Sequence, residues 1–70
     1  MARPLCLWLL EDGEWRLYVG RRKRYTATVW PNGAWHTWDR DGNGGENSQE
    51  QSVDRAKIEA AGSAIQQGFI

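Results

Sequence analysis

The stretch that decides the fold is Tyr25-Thr26-Ala27-Thr28-Val29-Trp30-Pro31-Asn32-Gly33-Ala34-Trp35-His36-Thr37-Trp38. Threonine, valine and aromatic residues crowd both sides of Asn32-Gly33, a composition that suits two strands. Asn-Gly is a preferred pair for a two-residue hairpin turn. Such a turn predicts strands over residues 25–30 and 34–38, pairing Pro31 with Ala34, Trp30 with Trp35, Thr28 with Thr37 and Ala27 with Trp38. Alternation then sorts the side chains. One face carries Thr26, Thr28, Trp30, Trp35 and Thr37. The other carries Tyr25, Ala27, Val29, His36 and Trp38, and it reads as the core face because it holds the aliphatics.

Upstream, apolar runs at residues 5–10 and 15–19 flank Asp12-Gly13. That dipeptide fits a type I′ turn, pairing Leu10 with Trp15, Trp8 with Leu17 and, less favourably, Glu11 with Glu14. Gly20-Arg21-Arg22-Lys23-Arg24 joins the two hairpins. An odd-numbered loop or a bulge there places Trp15, Leu17 and Val19 on one face with Val29 and Trp38, and burial favours that geometry.

Downstream, residues 39–48 read as a polar, glycine-rich loop between sheet and helix. The helix starts at about residue 49 or 53 and runs to Gly68. Ser48 with Gln51 offers a capping box and Ser52 a plain N-cap, while Gly68 is the expected C-cap. Val53, Ile58, Ala61, Ala64 and Ile65, widened by Ala56 and Ala60, form the apolar side. The chain therefore reads as a single α+β domain over residues 1–70. Its expected architecture is a four-stranded (or three plus one) antiparallel meander with one C-terminal helix packed on one face.

Composition limits the function classes. Seventy residues carry 9 Lys+Arg and 9 Asp+Glu, so the formal net charge is zero. That balance argues against a strongly basic DNA-coating protein. The 40% hydrophobic content suits a folded chain. One cysteine and one histidine provide neither an internal disulfide nor a zinc site of Cys and His alone. The apolar run at 5–10 is too short for a membrane span or a secretory signal, so a cytoplasmic protein with no membrane partner is expected. Five tryptophans are unusual for this length. Trp8, Trp15 and Trp38 are expected to enlarge a small core.

Residues 39–50 fit D-x-[DN]-x-[DN]-G-x5-E, with Asp39, Asp41, Asn43, Gly44 and Glu50 in the required places. The stretch resembles an EF-hand calcium loop. The resemblance implies Ca²⁺ held by Asp39, Asp41, Asn43, the Gly45 carbonyl, Asn47 and Glu50. Glu46 stands where that family usually carries an aliphatic residue, and a strand rather than a helix leads in. The plain alternative is a solvated loop, where Asp, Asn and Gly collect anyway.

No acid occurs between Trp15 and Trp38, a window that contains Arg16, Arg21, Arg22, Lys23 and Arg24. A basic turn beside Trp30 and Trp35 suggests DNA or RNA binding, with Arg21, Arg22, Lys23 and Arg24 on phosphates and an indole stacked on a base. The alternatives are a solvated turn and a cross-strand tryptophan pair bracing its own hairpin. Trp15-Arg16-Leu17-Tyr18, Tyr25-Thr26-Ala27-Thr28-Val29 and the alanine-bearing helix after residue 52 resemble, in element order, the plant Apetala-type domains and the arm-binding domains of phage integrases. That resemblance implies a sheet that reads DNA. The chain also resembles the small sheet-plus-helix proteins of phages and prophages.

An enzyme is not expected. His36 sits mid-strand with no orienting partner evident, Cys6 lies in an apolar run, and the glycine-rich loop lacks the Lys-Ser/Thr of a phosphate loop. The expected function is a small binding module for nucleic acid. The alternative is a protein-interaction or regulatory module, with or without calcium. The first strand, apolar on both faces, points to a protein partner or a homodimer.

Overall fold

The computed structural model describes residues 5–70. Five antiparallel strands form one sheet in chain order, followed by one helix. The strands are β1 (Cys6–Glu11), β2 (Glu14–Val19), β3 (Ala27–Val29), β4 (Ala34–Trp38) and β5 (Gly44–Gln49), and the helix is α1 (Val53–Gln66). The α+β class, the antiparallel meander and the single C-terminal helix follow the sequence reading. The fifth strand is additional. Among the described residues no helix is long and apolar enough to cross a membrane.

The first hairpin has the expected register, with Leu10 opposite Trp15, Trp8 opposite Leu17 and Glu11 opposite Glu14. Asp12 and Gly13 both take positive φ (51° and 78°), as a type I′ turn requires. Neighbours on the same face relieve the repulsion between Glu11 and Glu14. Arg16 Nε donates to Glu14 at 3.1 Å, and the Tyr18 hydroxyl donates to Glu11 at 2.5 Å. The Glu14 carboxylate keeps the Arg16 guanidinium protonated even more firmly than usual. The bond to Glu11 raises the Tyr18 phenol above its ordinary value.

The second hairpin corrects the sequence reading by one residue. Ala27 lies opposite Thr37, Thr28 opposite His36 and Val29 opposite Trp35. The turn has three residues, Pro31, Asn32 and Gly33. Trp30 N–H donates to the Ala34 carbonyl at 2.9 Å, and Gly33 N–H to the Trp30 carbonyl at 3.0 Å. Proline suits the first position of such a turn, and glycine in the left-handed region (φ 87°) suits the third. Asn32 Oδ1 accepts from Ala34 N–H at 3.0 Å. A one-residue slip exchanges the faces of a strand. Trp35 and Thr37 therefore join Ala27 and Val29 on the core face, while His36 and Trp38 join Thr28 on the other.

The connection between the hairpins unites Trp15 and Leu17 with Val29 and Ala27, as burial demands, while the three-residue turn at 31–33 puts Trp38 on the opposite face. Leu17, Ala27, Val29, Trp35, Ala56 and Ala60 form the core, with Trp8, Trp15, Val53, Ala61 and Ile70 packed around it. The helix lies on β3, β4 and β5. It presents Ala56, Ala60, Ser63 and Ala64 to the sheet, and these small side chains permit close approach. Ile58 and Ile65, expected on that apolar side, are instead 63% and 61% exposed.

Residues 44–49, expected as loop, form β5 along β4. Two residues, Gly45 and Glu46, oppose Thr37, which marks a bulge between the pair His36/Asn47 and the pair Trp38/Gly44. Thr37 Oγ1 accepts from Glu46 N–H at 2.9 Å and from Gln67 Nε2 at 3.0 Å. Ser63 Oγ donates to Glu46 Oε1 at 2.7 Å. This polar cluster, buried at Thr37 and Ser63, fastens the end of the helix to the bulge. The helix begins at Val53, capped by Ser52 Oγ accepting from Arg55 N–H at 3.1 Å. The capping box of Ser48 and Gln51 does not form, because Ser48 is in β5 opposite Trp35. At the other end, Gly68 N–H reaches the Ile65 carbonyl and Phe69 N–H the Ala64 carbonyl, a left-handed glycine stop.

Gly33 is held twice over, by its φ and by a neighbour, because a Cβ there would fall on the Glu50 carbonyl. At Gly13 the φ is also positive but the surroundings are open. Gly33→Ala is expected to destabilise the fold by about 3 kcal/mol. Gly13→Ala should cost only about 1 kcal/mol, from the backbone conformation alone. Urea unfolding of the two variants checks the order; equal losses would contradict the assigned packing.

Candidate nucleic-acid interface

The face of the sheet opposite the helix carries Leu7 and Leu9 on β1, Arg16 and Tyr18 on β2, Thr28 on β3, and His36 and Trp38 on β4. Among the described residues no element covers it. Tyr25, just before β3, joins this face. Its ring meets Tyr18 edge-on with centroids 6.0 Å apart, and the Arg16 guanidinium lies 4.8 Å over it. Trp38 packs on His36 with ring centroids 4.1 Å apart, and its Nε1 donates to Thr28 Oγ1 at 3.2 Å. These side chains are at least partly exposed, apart from Thr28 beneath them, which is 1% exposed.

At one end of this face the β2–β3 connection approaches the β4–β5 turn. Between them lies a shallow cleft of about 430 Å³, lined by Arg22, Lys23, Arg24, Tyr25, Thr26, Asp39 and Arg40. A smaller depression of about 240 Å³ adjoins it, lined by Arg24, Tyr25, Trp38 and Gly42. Arg24 and Tyr25 belong to both. Four cationic side chains thus line the cleft against one carboxylate.

The β4–β5 turn repeats the hydrogen-bond pattern of the turn at residues 31–33. Asp39 N–H donates to the Asn43 carbonyl at 2.9 Å, and Gly42 N–H to the Asp39 carbonyl at 3.1 Å. Gly42 takes a φ of 85°. Asp39 Oδ1 accepts from the backbone N–H groups of Asp41 and Asn43, each at 2.9 Å. These amides, that of Asn43 foremost, hold the Asp39 carboxyl below the ordinary aspartate range. Arg24 Nη1 donates to the Asp41 carbonyl at 2.9 Å, so the guanidinium rests across the turn. A Cβ on Gly42 would stand 2.9 Å from that nitrogen.

The sequence-predicted binding residues divide. Arg22, Lys23 and Arg24 line the cleft. Arg22 also donates through Nη1 to the Phe69 carbonyl, tying the C-terminal segment to the basic turn. Arg21 is exposed and does not line the cleft. The expected pairing of Trp30 with Trp35 does not form. Trp35 is 6% exposed in the core and donates through Nε1 to Glu50 Oε2 at 3.1 Å. Trp30 is half-buried at the other end of β3, away from the basic turn. Tyr25, Trp38 and Arg40 take their place. A two-residue turn would bury the first two, and the calcium-loop pattern absorbs the third. The Pro-Asn-Gly spelling of the turn is the signal that moves Trp38 to the open face.

The twelve-residue calcium geometry is not formed. Asp39 stands at the turn end of the β4–β5 hairpin, and Glu50 at the far end, where its N–H donates to the Gly33 carbonyl at 2.9 Å. A five-residue strand separates them, about 17 Å at strand rise. Gly45 packs against Thr37 and Gln67 at the bulge, and Asn47 lies opposite His36 in the sheet. His36 Nε2 is enclosed with no hydrogen-bond partner among the described residues.

Comparison with known proteins gives no match to a family model, a curated sequence or a solved structure.

Because its carboxylate is favoured in the folded turn, Asp39 contributes stability that is present above the ordinary aspartate pKa of about 3.9. That contribution is lost as pH falls through the lower folded value. A carboxyl NMR titration is expected to place the Asp39 midpoint below that ordinary value, with the amide signals of Asp41 and Asn43 following it. A midpoint at or above it would contradict the turn geometry.

Proposed function

We propose that this chain is a non-enzymatic binding module for single-stranded nucleic acid, whose phosphates lie in the cleft of Arg22, Lys23, Arg24 and Arg40 and whose bases stack on Tyr25 and Trp38. The observation that carries the reading is the sharing of Arg24 and Tyr25 between the basic cleft and the aromatic depression. A cationic groove continuous with partly exposed rings is the arrangement that a flexible strand requires, because charge follows the backbone while rings take the bases. A duplex keeps its bases stacked inside and leaves the rings without a partner. The shallow cleft also suits a polymer passing across the surface better than an enclosed small molecule. A protein-interaction reading is favoured by a different surface, the leucines of β1.

Fluorescence anisotropy with a labelled single-stranded oligonucleotide tests the proposal. Affinity is expected to fall with salt, at about 0.7 in log–log slope for each phosphate neutralised. Arg24→Ala and Arg40→Ala should each reduce that slope by about one such contact. Tyr25→Leu should weaken binding by about 1–3 kcal/mol with the slope preserved. Absence of binding at about 50 mM salt, or equal binding to duplex and single strand, would overturn it.

A further inference from the structure

Arg16 belongs to the basic middle of the sequence, yet its charge is used locally. Its Nε donates to Glu14 Oε2 at 3.1 Å, and its Nη2 lies 3.5 Å from Asp12 Oδ2. The side chain is only 18% exposed. Two carboxylates thus engage its donors and offset the charge that a phosphate would need. Arg16 lines neither the cleft nor the depression beside it. In both respects it differs from Arg22, Lys23, Arg24 and Arg40.

What Arg16 does touch is a ring. Its guanidinium carbon stands 4.8 Å over the centroid of Tyr25. Tyr25 borders both the cleft and the depression. The guanidinium therefore covers one face of this ring, and the cavities open on what it leaves free. Tyr18 closes an edge. Its ring meets Tyr25 at 75°, and its hydroxyl is held by Glu11. The other ring of the depression, Trp38, is backed likewise by His36, which also lines neither cavity. A ring that receives a base gains from being fixed beforehand, because the ordering cost is then met in folding rather than in binding. A planar guanidinium, itself held by two carboxylates, is suited to fixing a phenol in this way.

We infer that Arg16 is a positioning residue of the nucleic-acid site: it holds the Tyr25 ring by stacking on one face, leaves the other face to a base, and does not contact phosphate. The inference rests on the reading of the cleft and rings as a site for single-stranded nucleic acid. It separates Arg16 from the other basic residues by role, although all five lie in or beside the same sheet face.

Fluorescence anisotropy with a labelled single-stranded oligonucleotide over a range of salt tests the assignment. Arg16→Thr combined with Glu14→Gln removes the stacked guanidinium at constant net charge. Affinity is expected to fall about two- to fivefold, with the salt slope of the parent and an unchanged circular dichroism spectrum. A phosphate contact would instead lower the slope, as expected for Arg24→Ala. Added to Tyr25→Leu, the same pair of substitutions should cause no further loss, because Arg16 acts through that ring. A second measurement uses the parent chain and stands if the variant fails to fold. At saturating oligonucleotide the NMR signal of Arg16 Nε–H should keep its position, held by Glu14, while that of Arg24 moves. A reduced slope, additive losses with Tyr25→Leu, or an Arg16 signal that moves as far as that of Arg24 would each overturn this inference and leave the binding reading in place. Absence of oligonucleotide binding by the parent would overturn both.

Discussion

The three-residue turn at Pro31-Asn32-Gly33 is the constraint on which the rest of this structure depends. Its length sets the parity of the β3–β4 register, and parity decides which of two tryptophans is buried. With three residues in the turn, Val29 faces Trp35, and that indole enters the core beneath the helix. With two, Trp38 would take that side and Trp35 would face solvent. The turn is specified from both directions. Proline and asparagine favour its first two positions, and Gly33 alone fits both the left-handed backbone and the Glu50 carbonyl beside it.

Burying Trp35 dictates the shape of what covers it. A large indole in a thin sheet leaves room only for a helix with small side chains, and Ala56, Ala60 and Ala64 are fully enclosed. The indole N–H also needs a partner, which Glu50 supplies. Glu50 can do so because β5 brings the chain back along β4 to the level of Gly33. β5 has little intrinsic strand preference, since it contains two glycines and no β-branched residue. Its place comes from tertiary bonds: Thr37 to the bulge amide, Ser63 to Glu46, and Gln67 to both Thr37 and Ser63. The small polar cluster thus does for this edge what apolar side chains do for β2 and β3.

These particulars explain what could be read from the sequence. The first hairpin was legible because Asp12-Gly13 has one strong turn preference and apolar runs on each side. The helix was legible through its caps, and Ser52 prevailed over Ser48 because Ser48 is needed opposite Trp35. The second hairpin was legible as a hairpin but not in register, since Asn32-Gly33 serves a two-residue turn and the end of a three-residue turn equally well. Proline at the first position separates the two. β5 was illegible because its propensities describe a loop, while its stability resides in side-chain bonds that span 9, 17 and 30 positions of the chain. The same polar composition produced the calcium-loop resemblance, a pattern of residue types that the strand then pulls apart.

The register also carries over into the candidate site. Moving Trp38 to the open face sets it beside Tyr25 and Arg24. The second three-residue turn, which follows Trp38 almost directly, brings Arg40 to the cleft. Arg40 lies sixteen positions beyond Arg24, so the basic run alone could not show that the two share a site; the approach of the two connections unites them. Zero net charge therefore does not describe a neutral surface. The four cations gather at one end of the sheet, while Glu11 and Glu14 are occupied by Tyr18 and Arg16 near the first turn. Within the cleft, the one carboxylate, that of Asp39, is turned inward to hold the β4–β5 turn. The residue that most reduces the positive charge of the cleft is thus also the one that shapes the turn presenting Arg40, and the site keeps its charge balance as a consequence of how the hairpin closes.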